Sequence, residues 1–225
     1  VLDLPDVGYM RRLSAEGVLS VDPDLILARD TSGPVEVIDL LREASIPVVF
    51  TRDSFTVQAV VDNIRVVGQA LGTPDKAEDL AGRVEADLAA LRQDIGQLPD
   101  AKRVMFILSA ENGKLNVAGD HTGADGLIRL AGVINVMSGQ YSGYKTVTDE
   151  AVIKAAPEIV VMMSNGGADH ASGKDEILSL PAVALTPAGE NGGFVQVPGS
   201  ALGFGPRTAQ AARDLHNRIY GKAGH

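Results

Sequence analysis

Residues 8–27 read GYMRRLSAEGVLSVDPDLIL, and residues 143–162 read GYKTVTDEAVIKAAPEIVVM. With a one-residue gap after the Gly-Tyr pair, Ser14 falls on Thr148, Glu16 on Glu150 and Pro23 on Pro157, 134 residues apart. Leu25-Ile26-Leu27 then falls on Ile159-Val160-Val161. Each copy runs Gly-Tyr, a short polar stretch, a helix start with an acid in its first turn, Pro-acid, and an apolar strand. Solenoid repeats recur every 20–50 residues or so, and a domain-length separation points instead to two similar lobes. Such lobes are expected to face each other across a cleft, to which each copy brings a tyrosine.

Outward from the repeat, strands alternate with helices, the pattern of parallel sheets with crossover helices. The first lobe is expected to hold strands at 25–28 and 47–50 and helices at 35–44 and 56–71. Thr73-Pro74-Asp75 then supplies an N-cap, a proline at the first helical position and an early acid. Leu80, Val84, Leu88, Leu91 and Ile95 follow at helical spacing and predict one long amphipathic helix ending near Leu98. The second lobe opens with the apolar run Val104–Leu108 and contains a helix at 122–131, the repeat helix at 148–155 and a closing helix to Tyr220. The expected class is α/β: two similar lobes with parallel sheets, residues 1–72 and 99–225, joined by one long helix over 73–98. Tyr144 stands 43 residues after Ala101, where a strand begins, whereas Tyr9 follows eight residues. The first lobe is therefore expected to be truncated by about 35 residues.

Composition narrows the function. The net charge of −9 leaves no basic stripe to neutralise nucleic-acid phosphates. The absence of cysteine excludes disulfides, thiolate nucleophiles and Cys-ligated zinc, and is compatible with an oxidising compartment. No stretch approaches the roughly 20 apolar residues of a membrane span. No P-loop, GxGxxG after a strand or GxSxG elbow is present, so no catalytic residue is assigned and an enzyme is not expected. No pair of histidines stands at metal-binding helical spacing, so no conventional zinc site is expected.

The stretches LPDVGYMRRLSAEGVLSVDPDLIL, AGDHTGADGLIRLAG and LGFGPRTAQAA resemble the periplasmic haem-binding proteins of bacterial ABC importers, two-lobed binding proteins with a connecting helix. The resemblance covers essentially the whole chain and is most specific over Leu4–Leu27. It implies haem, ferric protoporphyrin IX, as the transported ligand, and an ABC permease dimer as partner. It also implies a periplasmic location, with membrane contact only through the permease. It assigns the iron to Tyr9. A phenolate is a hard anionic donor suited to ferric iron. A phenol ionises only near pH 10 without help, which iron and a cation such as Arg11 would supply. Tyr144 is the mirror candidate for a second axial ligand, with Lys145 as a cation for a propionate.

Relatives holding two haems use a histidine where this chain has Ser109-Ala110-Glu111-Asn112, so one haem is expected. His170 is placed in a loop lining the pocket, while His121 reads as a loop or cap residue and His216 and His225 as solvated. Arg207, after Gly205-Pro206, suits either a helix cap or a propionate contact; Arg12 and Arg29 are weaker pocket candidates. Glu16 and Glu150 complement helix dipoles, and by resemblance they dock onto arginines of the permease. A ferric siderophore or a corrinoid remains open as the ligand in the same fold. A two-lobed α/β enzyme with its site lost by truncation is the alternative of another class.

Overall fold

A computed structural model describes residues 4–96, 100–164 and 170–221. The chain divides into two compact units, Val1–Arg83 and Val84–His225, with the boundary inside a long helix.

The first unit begins with α1 (Ala15–Leu19), β1 (Ile26–Arg29), α2 (Val35–Glu43), β2 (Val48–Thr51) and α3 (Val57–Ala70). The long helix α4 (Pro74–Ile95) starts here and continues into the second unit. β1 and β2 pair in parallel, Ile26 opposite Val48 through Arg29 opposite Thr51. One core cluster buries Val18, Ile38 and Leu41, with Ile26, Val48 and Phe50 packed against them, and Ala59, Val60 and Val61 of α3 are buried as well. On α4 the predicted stripe is observed, with Val84, Leu88, Leu91 and Ile95 all buried and Leu80 half-buried.

The second unit holds β3 (Arg103–Glu111), β4 (Lys114–Ala118), α5 (Gly123–Leu130), β5 (Ile134–Asn135), β6 (Tyr144–Val147) and α6 (Asp149–Ala155). It continues with β7 (Ile159–Ser164), α7 (His170–Leu178), α8 (Pro181–Ala184), α9 (Pro187–Asn191), β8 (Phe194–Pro198) and α10 (Thr208–Tyr220). The sheet order is β6-β4-β3-β7-β8, with β5 also on β3. The expected α/β class is observed, and the second sheet is mixed. β3 and β7 are parallel, as are β7 and β8, but β4 runs antiparallel to both β3 and β6. The cause is the pair Asn112-Gly113, both at positive φ (51° and 75°), which closes a two-residue hairpin between β3 and β4.

The repeat is reproduced in backbone detail. Ser14 and Thr148 are the N-caps of α1 and α6 and accept from the N–H groups of Gly17 (3.0 Å) and Ala151 (3.3 Å). Asp22 and Ala156, equivalent residues just before the two prolines, both adopt left-handed φ, 48° and 44°. Gly8 and Gly143 do likewise at the two Gly-Tyr turns, at 101° and 80°. Ser14→Ala or Thr148→Ala should each cost about 1 kcal/mol in chemical denaturation, because an N–H at the helix start loses its acceptor.

Glu158, the acid after the second proline, ties the start of β7 to β3. Its carboxylate accepts from Lys102 Nζ at 2.6 Å and from the Arg103 N–H at 3.0 Å. The Lys102 bond, followed by that N–H, lowers its pKa. A depressed carboxyl stabilises the fold above its unfolded value, about 4.3, and the contribution is lost as pH falls through the lower folded value. Stability measured from pH 5 to pH 2 should therefore fall less steeply in Glu158→Gln than in the parent chain. Parallel curves would remove Glu158 from the acid limb.

Candidate functional site

Tyr9 sits on a turn braced by backbone contacts rather than by its own ring. Gly8, at φ 101°, takes a conformation other residues rarely adopt, and its N–H donates to the Asp6 carboxylate at 2.8 Å. The Tyr9 carbonyl accepts from the Arg12 N–H at 2.7 Å. The next residues are clamped to the loop after β1: the Gly33 N–H donates to the Met10 carbonyl and the Leu13 N–H to the Gly33 carbonyl, both at 3.0 Å. The turn is thus held by the loop at the carboxyl end of β1, where open α/β sheets place their ligands. Tyr9 itself is 61% exposed. Among the described residues its hydroxyl makes no hydrogen bond. Arg11 and Arg12 are exposed on the same turn. The geometry therefore presents a phenolic oxygen outward on a fixed base with positive charge beside it.

The equivalent turn in the second unit is built differently. The Gly143 N–H donates to the Asp120 carbonyl at 2.9 Å, and its carbonyl accepts from the Gly119 N–H at 2.8 Å. The Asp120 carboxylate accepts from Ser138 Oγ and the Gly139 N–H, both at 2.7 Å, and these bonds hold it below the usual carboxylate range. Gly119 has no room for a Cβ, which would collide with the backbone and ring of Tyr141. Tyr144 is half-buried, and burial raises its pKa. The nearby Thr122 side chain and Ala124 N–H, at the start of α5, oppose that rise. The two tyrosines that match in sequence thus differ in kind: Tyr9 is presented outward, and Tyr144 is engaged within its own unit. Lys145 is exposed, its Nζ 5.4 Å from the centroid of the Tyr141 ring, a cation–π contact. Tyr141 donates its hydroxyl to the Val117 carbonyl at 3.2 Å, and burial pushes its phenol up to about 12.

Arg207 is the N-cap residue of α10, makes no side-chain cap bond and borders a small pocket of about 200 Å³ with Ser200, Thr208 and Asp214. A larger open pocket of about 670 Å³ is lined by Ser164, Lys174, Phe194, Gln196 and Arg218; none of the residues singled out in the sequence borders it. Glu16 and Glu150 are exposed in the first turns of α1 and α6. Arg29 is committed elsewhere, to an ion pair with Asp53 at 2.5 Å. His170 opens α7, but its side chain, the loop before it and His225 lie outside the described residues. His216 corrects the expectation of a solvated residue: it is half-buried, its ring tilted against that of Tyr220, and bonded through Nδ1 to the Ala131 carbonyl at 2.9 Å.

The described units can be compared with known proteins. Residues 1–201 match the family described as "Periplasmic binding protein". This chain belongs to that family. The family is one of binding proteins and not of enzymes, which overturns the enzyme alternative. The solved structure of the periplasmic heme-binding protein BhuT in complex with two hemes is 37% identical, with a TM-score of 0.89, covering 97% of this chain and 82% of that one. An uncharacterized ABC transporter substrate-binding lipoprotein, YvrC of Bacillus subtilis (strain 168), is 25% identical over 95% of this chain and 67% of its own length. A vitamin B12-binding protein of Vibrio campbellii is 25% identical over 73% of this chain, which spans 60% of that relative.

Proposed function

We propose that this chain is the substrate-binding component of an ABC importer, that its substrate is haem, and that the Tyr9 phenolate ligates the ferric iron. The observation that carries this reading is the outward phenol of Tyr9 on its braced, arginine-flanked turn. Support comes from the 37% identity to a protein that binds hemes. Arg11, Lys145 and Arg207 are the cations offered to the propionates. Because Tyr144 is half-buried beside the start of α5, Tyr9 alone is proposed as the protein's ligand, for one haem per chain. Glu16 and Glu150, exposed at equivalent helix starts, are the docking points for a permease with one basic patch per half. The protein acts in the periplasm. Among the described residues no helix is long and apolar enough to cross a membrane, and contact with the bilayer is assigned to the permease.

The likeness to a vitamin B12-binding protein favours a second reading, a corrinoid in the same place. Parallel titrations of the chain with hemin and with cyanocobalamin separate the two. Saturation at one hemin per chain with a ferric-phenolate spectrum supports haem. Tight cyanocobalamin binding without such a spectrum supports the corrinoid.

A further inference from the structure

Asp53, which nothing in its sequence neighbourhood singles out, joins the loops that follow β1 and β2. Its side chain is 9% exposed, and its carboxylate accepts from Arg29 Nη1 at 2.5 Å and from Thr31 Oγ1 at 2.9 Å. Its own N–H donates to the Asp30 carboxylate at 2.9 Å. Arg29 at the end of β1 and the two residues that follow it are thereby fixed to one position. Ser32 closes the same loop, its N–H on the Arg29 carbonyl at 2.9 Å and its Oγ accepting from the Arg29 N–H at 3.2 Å. The next residue, Gly33, is the one that clamps Met10 and Leu13. Behind Asp53, Arg52 is anchored to α3: its N–H donates to Asn63 Oδ1 at 2.8 Å and its carbonyl accepts from Asn63 Nδ2 at 3.0 Å.

We propose that Asp53 is the positioning residue of the Tyr9 turn, transmitting the rigidity of α3 and β2 through Arg29, Thr31 and Gly33 to residues 8–13. An exposed ion pair alone would be worth little. A carboxylate this buried, with two donors, constrains where the loop can lie, and ligand affinity depends on placement of the contacting atom to well under an ångström or so. The inference rests on the Tyr9 reading for its effect on ligand, but its structural part stands independently of it.

The test uses the whole chain and two readouts. In the ligand-free protein, backbone amide exchange over residues 10–13 should speed up at least several-fold in Asp53→Asn, less in Thr31→Val, and should be partly restored in Asp53→Glu. With hemin as probe, Asp53→Asn should weaken binding on the order of tenfold, and the same substitution in a Tyr9→Phe background should change affinity less than about twofold. Unchanged exchange over 10–13 in both Asp53→Asn and Thr31→Val overturns the proposal, as does an equal loss of hemin affinity with and without Tyr9. If Tyr9→Phe alone binds hemin like the parent chain, the assignment of the iron to Tyr9 fails, and the exchange arm still decides whether Asp53 holds the turn.

Discussion

Tyr9→Phe is expected to lower hemin affinity on the order of a hundredfold, about 2.7 kcal/mol, and to abolish the ferric-phenolate absorption. The substitution removes one oxygen and leaves the turn intact, because the bonds that shape it come from the backbone and from Asp6. The ring is 61% exposed, so folding stability should move by no more than about 0.5 kcal/mol. That separation makes the result interpretable: a loss of ligand without a loss of fold can only come from the phenol oxygen. Absorption and affinity titrations on the two proteins, beside unfolding curves, give both quantities. Equal hemin affinity and an unaltered spectrum in the variant would remove Tyr9 from the iron.

The largest effect on stability is expected at Phe106. It lies in the middle of β3, fully buried, opposite Val161 of β7, which is also fully buried. Phe106→Ala should destabilise the second unit by about 3–5 kcal/mol, since the strands on either side of β3 leave little freedom to collapse into the cavity. Denaturant unfolding followed by circular dichroism would show it as a lower midpoint. A change below about 1 kcal/mol would mean that the second sheet does not close around β3 as described.

Much of the fold could be read from local pattern because the signals involved are local. The caps Ser14, Thr56, Thr122 and Thr148 each stand directly before an apolar-periodic segment and act over three residues. The repeat aligned not only side chains but a backbone requirement, the left-handed residues Asp22 and Ala156. β4 has a local signal too, the hairpin pair Asn112-Gly113 that follows β3. The site was legible only in part. Tyr9, Arg11, Glu16 and Glu150 are exposed, whereas Arg29 is spent on Asp53.

Sequence alone was enough for the duplicated strand–helix grammar, the long helix and the presence of a tyrosine at each Gly-Tyr turn, because each depends on neighbours within one or two turns of chain. It could not separate the two tyrosines. Tyr144 meets Thr122 and Ala124, 22 and 20 residues away in the chain, only after β4, β6 and α5 have folded together. The same holds for their strands: Leu27 is 44% exposed in β1, which has one strand partner, while its counterpart Val161 is fully buried in β7, which has two. Burial and hydrogen bonding are properties of what surrounds a residue, and equal sequence in two copies does not give equal surroundings.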